Sequence, residues 1–424
     1  MRISEMITEV RNGRLDSMLE RLYGAESVAA QQERYISIME KGQALFGDRE
    51  AMLFSAPGRT EVGGNHTDHQ LGRVVAASID LDVAAVVIPS DDHIIRYASK
   101  GFSVKPVDLK DLSIHEDEKN TTEALIRGTA AGLNRMGYGI GGFMAYAESN
   151  VLPGGGMSSS AAFEVLLGTI LNDLYNGGKI TPEEIAKNGQ YAENVYFMKP
   201  CGLLDQMACA EGSFTAIDFY EKDAPKVRRI GFDPGEFGYD LILTDVRASH
   251  AELSDEYAAV PADMKAAAAV MHEEVLSRCT LSDLLANAAE IREKCGDRAL
   301  MRAFHFLKET ERAGALASAM ERGDIASFLD IVNESGRSSY MYLQNINVPG
   351  AVREQPVGLA LSLSDAVLEG RGAFRVHGGG FAGTIQAYVP HELTEKYIAA
   401  MESVFDKDCC YILKIRDCGG IRMM

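Results

Sequence analysis

Hydrophobic and polar positions follow three different rhythms along this chain, and each predicts a different kind of element. At the amino end, Ile3, Met6, Ile7, Val10, Leu15, Met18, Leu19 and Leu22 recur near helical spacing between charged neighbours, which predicts a helical, polar-faced docking extension over residues 1–50. "LDVAAVVIPS" (81–90) is a short valine-rich apolar run, the pattern of a buried strand, and "GGFMAYAES" (141–149) alternates like another. After Ser158 the period returns to helical, with Phe163, Leu167, Ile170, Leu171 and Leu174 behind a first turn of "SSSAA". "TPEE" (181–184) supplies Thr181 as N-cap, Pro182 at the first helical position and Glu184 to close a capping box, so a second helix is expected through Tyr196, with Pro200 and Gly202 after its end.

Beyond this the rhythm changes again. "YDLILTDV" reads as a strand, alanine-rich helical stretches follow it, and "TIQAYVP", "ELTEKYIAAMESVF" and "YILKI" return as strand, helix and strand. The predicted organisation is an α+β chain with a helical extension (1–50), a first domain (51–225) and a second (226–424), the boundary falling in the charged "YEKDAPKVRR". A length of 424 residues suits two domains, because single cores stop growing well below it.

Composition narrows the partners. A formal charge of −19 argues against nucleic acid and against an anionic membrane surface, since the summed field repels both, and any phosphate must be held locally. The first residues mix charge with apolar groups and contain no uninterrupted apolar run, so neither a signal peptide nor a membrane span is expected, and a cytoplasmic setting is. Seven cysteines without a CxxC spacing suit reduced thiols; Cys409 and Cys410 read as small buried hydrophobes beside "YILKI".

Four stretches could carry chemistry. In "VLPGGGMSSSAAFEV" (151–165), Gly154, Gly155 and Gly156 precede a helix opening with Ser158, Ser159 and Ser160, which is either a phosphate-binding helix end or a flexible turn before a serine-capped helix. It lacks the Walker lysine pattern. "CGLLDQMACAEG" sets Asp205 among apolar neighbours, as a tuned base or a plain cap, and Glu193, twelve residues earlier, is a cation ligand or a solvated helix face. "GRTEVGGNHTDHQLG" offers Arg59, Asn65, His66 and Asp68 on a pliable backbone, a mix that binds hydroxyl-rich ligands or simply makes a polar turn. "RVHGGGFAGTIQAYVP" puts a glycine run between two strand-like pieces, as a tight bend or a wall on the phosphate side.

Taken in order, "APGRTEVGGNHTDHQLG", "GGGMSSSAAFE", "CGLLDQ" and "HGGGFAG" resemble the motifs of the GHMP kinase superfamily and its galactokinase branch, with further likeness in "HAELSDEY" and "VNESG". The resemblance implies a two-domain fold, a ribosomal-protein-S5-like N-terminal domain with a ferredoxin-like C-terminal one, and an ATP- and Mg²⁺-dependent sugar 1-kinase acting between them. By position it implies Asp205 as catalytic base and Arg59 as the cation steadying it. Glu193 and Ser160 fall on the magnesium side, Gly154, Gly155, Gly156, Ser158 and Ser159 in the phosphate loop, and His66, Asp68, Gly202 and Tyr257 at the sugar.

One motif departs from the pattern. Galactokinases usually read "GEHTDY", so a sugar-contacting glutamate is Asn65 here and the tyrosine is His69. Exchanging a carboxylate for an amide removes a charge and adds two donors, which would suit a carboxylate at C6, and "DHQ" is similar to the plant galacturonokinase stretch. The leading expectation is therefore galactose or a close relative as substrate, with galacturonate or N-acetylgalactosamine as the alternatives. A galactokinase-like sugar sensor without turnover is disfavoured, because the Ser-Ala dipeptide and Asp205 are both intact.

Overall fold

The computed structural model describes residues 1–101, 104–151, 156–222, 224–248 and 253–424. Its strands are β1 (Met52–Gly63), β2 (Arg73–Pro89), β3 (Ile94–Ser99), β4 (Val107–Asp108), β5 (Phe143–Ser149), β6 (Phe214–Asp218), β7 (Lys226–Ile230), β8 (Tyr239–Asp245), β9 (Ala373–Val376), β10 (Thr384–Pro390), β11 (Cys410–Leu413) and β12 (Ile421–Arg422). The first sheet runs β12-β1-β2-β5-β3-β4, with β6 on the first half of β2 and β7 beyond it. The second is a four-stranded antiparallel sheet in the order β11-β8-β10-β9. With helices between β8 and β9 and between β10 and β11, that order is the ferredoxin-like βαββαβ arrangement.

Why β2 reads as an unbroken apolar run follows from its two covered faces. Val83, Ala85 and Val87 face the helices Thr122–Arg135 and Ser159–Asn176, while Ala84, Val86 and Ile88 face the amino-terminal helices Ile3–Arg11, Asp16–Tyr23 and Val28–Phe46. Ile3, Met6, Val10, Leu19, Tyr35 and Met39 fill that second layer. At about 1.5–3 kcal/mol for each fully buried large apolar side chain, the layer is a working part of the core. Residues 1–50 thus dock on their own chain.

The charged stretch 220–229 is not a linker. Its residues 226–229 belong to β7, which pairs antiparallel with β6 in the first sheet, and the passage to the second sheet comes between Ile230 and Tyr239. The chain also returns: β12 pairs with β1, so the last residues expected in the second domain lie in the first sheet. The helix Asp297–Glu321 packs on β2 and the helix Ile325–Ser338 on β9, and one core joins Leu316, Met320, Phe328 and Val332 to residues of both sheets. No helix among the described residues is long and apolar enough to cross a membrane.

Asp82 ties the amino-terminal layer, the first sheet and the carboxyl tail together. It is 0% exposed, lies 2.6 Å from Arg34 Nη1 and 3.5 Å from Arg416 Nη1, and accepts the Tyr23 hydroxyl at 2.6 Å and the Ser55 hydroxyl. Burial alone would push its carboxyl up; Arg34 and Arg416 outweigh that and hold it below the usual range. Its contribution is therefore present above the unfolded value near 4 and lost as pH falls through the folded value. Asp82→Asn leaves two buried cations uncompensated and should cost about 3–5 kcal/mol at neutral pH. Urea unfolding of both proteins checks this, and the deficit should shrink below about pH 4.

Candidate active site

β1 loses register against β2 between Pro57 and Arg59, and such irregularities re-aim side chains. Arg59, just after the shift, points its buried guanidinium at Asp205. Nε and Nη2 lie 2.8 and 2.6 Å from Asp205 Oδ1, while Nη1 donates to the Gly156 carbonyl. The close approach needs Gly58, where a Cβ would lie 2.9 Å from the Met157 carbonyl oxygen. Asp205 sits in the first turn of the helix Leu204–Glu211, the end that favours a carboxylate, and its side chain is 36% exposed.

Asp205 Oδ2 accepts the hydroxyl of Ser158. Ser158, at φ 57°, is the N-cap residue of the helix Ser159–Asn176, yet its side chain does not cap it. The first-turn N–H groups, with Ser159 and Ser160 among them, keep their capacity for an anion. Gly156 adopts φ 69° beside them, and Gly154 and Gly155 lie outside the described residues.

The capped helix runs Pro182–Tyr191 and then widens into a π-helical turn, Ala192–Phe197, where a plain α-helix through Tyr196 was expected. The wider turn carries Glu193 inward to 3% exposure. Its Oε1 accepts the Ser160 hydroxyl at 3.1 Å and its Oε2 the Gln206 amide at 2.9 Å. The same amide nitrogen donates to Glu164 Oε2 at 3.0 Å. Burial, then the nearness of Glu193 and Asp205, pushes the Glu164 carboxyl well above the usual range.

A hydroxyl and a carboxylate side by side are a hard donor set that fits Mg²⁺. Among the described residues no group of three or more His, Cys, Asp and Glu side chains could hold an ion. The remaining ligands would be phosphate oxygens and water, as is usual for Mg²⁺ in kinase sites.

Asp68 lies near enough to Asp205 to feel its charge and packs against Gly202, while His66 and Tyr257 meet at the glycine run 378–380. A Cβ at Gly202 would collide with the Asp68 carboxylate, whose ionisation is pushed up to about 6 by burial and then by Asp205 and Glu61. His66 Nε2 donates to the Gly379 carbonyl at 3.0 Å and the Tyr257 hydroxyl to that of Gly380 at 2.8 Å, so the glycine run is the wall these residues grip. Both ring nitrogens of His69 are buried with no hydrogen-bond partner among the described residues.

Asn65 corrects the expectation of a ligand-facing amide. It is 0% exposed, with Nδ2 donating to Glu61 Oε1 and to the Gly378 carbonyl, both at 2.7 Å. Its Oδ1 accepts from Asn345 Nδ2 at 2.9 Å and Ser339 Oγ at 3.4 Å. All of its hydrogen-bonding capacity is spent inside the protein. Sequence reasoning also passed over Gln206 and Lys199. Gln206 was within reach, next to Asp205 in "CGLLDQ"; Lys199, 3.6 Å from Glu193 Oε1, carried no periodic signal.

Comparison with known proteins gives a family likeness. Residues 124–213 match the GHMP kinases N terminal domain, and residues 43–89 match the galactokinase galactose-binding signature. A galactokinase of Streptomyces coelicolor is 29% identical over 372 residues, spanning 87% of this chain and 92% of its own. The structure of Lactococcus lactis galactokinase complexed with galactose covers 92% of this chain and 100% of its own, with a TM-score of 0.79 at 22% identity. Methanococcus jannaschii mevalonate kinase shares the fold at a TM-score of 0.61 and 13% identity, covering 86% of this chain and 98% of its own. Signature, relative and fold converge: the chain carries a match to the GHMP kinases N terminal domain and to the galactokinase galactose-binding signature, and it is similar in sequence and fold to galactokinases.

Proposed function

We propose that this enzyme transfers the terminal phosphoryl group of ATP to the anomeric hydroxyl of galactose. The observation that carries the reading is the Arg59–Asp205 pair set against the uncapped start of the helix Ser159–Asn176. A proton acceptor and an anion site meet there, and phosphoryl transfer asks chiefly for positioning and charge neutralisation. Asp205 Oδ2 takes the proton of the attacking hydroxyl, releasing Ser158 to turn toward the nucleotide. Arg59 fixes the Asp205 rotamer through Oδ1 and lends positive charge to the transferring group. Mg²⁺ held by Glu193 and Ser160 would neutralise charge on the nucleotide phosphates.

On the sugar side, Asp68 accepts hydroxyl hydrogen bonds, Gly202 leaves room for it, and His66 and Tyr257 fix the glycine wall. The galactose-binding signature spans this loop and supports galactose. An Asn65 amide turned inward withdraws the argument for a C6 carboxylate.

ADP release with MgATP across galactose, galacturonate, N-acetylgalactosamine, glucose and arabinose should be fastest with galactose. Asp205→Asn should lower kcat by about 10²–10⁴-fold while sparing ATP affinity; an unimpaired variant would remove Asp205 from the chemistry.

The Asp68 carboxyl must be ionised to accept from the sugar, so kcat/KM for galactose should fall as pH drops through about 6. Stability should move the other way, because the fold disfavours the ionised form: it should decline as pH rises from about 4 to about 6. A pH–rate profile flat through that window would exclude Asp68 as the acceptor. Asn65→Glu would bury a second carboxylate against Glu61. It should cost about 3–5 kcal/mol of stability without reordering the sugars, and a preference switched between galactose and galacturonate would contradict the inward assignment.

A further inference from the structure

We propose that Lys199 is a ligand of the nucleotide's terminal phosphates, the cation that the glycine-serine loop lacks; the inference rests on the kinase reading above. No lysine or arginine occurs between Val151 and Ser160. The helix end supplies only about half an elementary charge. Arg59 shares its charge with Asp205 and the Gly156 carbonyl, and Glu193 and Asp205 add negative charge where, on that reading, a polyphosphate binds.

The backbone brings Lys199 to this place by an uncommon route. The π-helical turn Ala192–Phe197 ends in Met198 at φ 62°, a left-handed conformation unusual for a side chain of that size. The Lys199 N–H then donates to the Glu193 carbonyl at 3.1 Å, and Pro200 fixes the following turn. The same few residues therefore set both Glu193 and Lys199. Lys199 Nζ comes to 3.6 Å from Glu193 Oε1, the oxygen that also accepts the Ser160 hydroxyl.

The two partners are unequal. The Lys199 side chain is 62% exposed and Glu193 only 4%, so an ammonium at the surface meets a buried carboxylate. A pair between two exposed side chains would be an ordinary surface contact of little consequence. Here the ammonium neutralises Glu193 in the nucleotide-free enzyme. Glu193 and Ser160 would hold the metal that accompanies the nucleotide, and the flexible stem of Lys199 would let Nζ reach phosphate oxygens beside Ser160.

The test is calorimetric binding of ATP in excess EDTA, and separately of galactose, to the wild type, Lys199→Met and Lys199→Arg. Lys199→Met should weaken metal-free ATP binding about tenfold, the scale of one hydrogen bond to a charged group. Its galactose affinity should match the wild type, and Lys199→Arg should restore most of the ATP affinity. Unchanged ATP binding in Lys199→Met, or equal weakening of ATP and galactose, would overturn the assignment. A wild type that binds galactose but no ATP, either in EDTA or with Mg²⁺ present, would instead overturn the kinase reading, and this proposal with it.

Discussion

Everything chemical in this protein hangs on the seam between its two sheets, which is held by the buried ion pair of Arg375 and Glu61. The guanidinium of Arg375, 0% exposed on β9, donates to the Val62 carbonyl at 2.8 Å and lies 3.1 Å from Glu61 Oε1 on β1. Gln386 Nε2 of β10 donates to the Glu61 carbonyl at 2.6 Å, and the Glu61 N–H donates to His377 Nε2 at 3.3 Å. A buried ion pair adds little net stability, because desolvation offsets the attraction. What it adds here is register: a shift of β1 against β9 would break several bonds at once. Arg59 lies two residues before Glu61 and Asn65 four after it, so the seam sets the proposed phosphate side and the motif loop together.

The second constraint is charge. A chain of net charge −19 has to hold a polyanion, so each positive group in the site is shared. Arg59 touches both the carboxylate proposed as base and the loop that precedes the helix end, coupling the two to one rigid fork. Ser158 leaves its helix uncapped and spends its hydroxyl on Asp205. Polar groups that would ordinarily complete a fold locally are held back for a ligand, as expected where a site gives up local stability for function.

Much of this was legible in the sequence wherever the signal was local. The capping box at Thr181, the helix after the glycine-serine run and the strand at 81–90 are decided by neighbours within a few residues. What was not legible depends on distant partners or rare backbone. Asn65 turns inward because Gly378 and Asn345 are waiting for it, and no pattern within its loop announces residues so far along the chain. Glu193 reads as a solvated helix position at a period of 3.6 and becomes buried only because the helix opens into a π-turn. The charges at 220–229 suggested a domain boundary, yet Lys226–Ile230 form a hairpin strand whose charged side chains are solvated. The amino-terminal stripe showed an apolar face but not its partner, which is the outer face of β2.

The inward turn of Asn65 also changes where specificity must reside. A motif residue built into the seam cannot choose among sugars, so under the proposed function discrimination would fall to Asp68, with His66 and Tyr257 holding the glycine run. Sites that read hydroxyls with buried polar groups discriminate strongly, because a sugar lacking the right hydroxyl leaves those groups unpaired. Asp68 is such a group, half-buried, close against Gly202 and crowded by two other carboxylates. Its crowding makes an unpartnered state costly and a hydroxyl donor correspondingly valuable. The exchange at position 65 is therefore a change in how the two sheets are joined, compatible with an unaltered sugar preference.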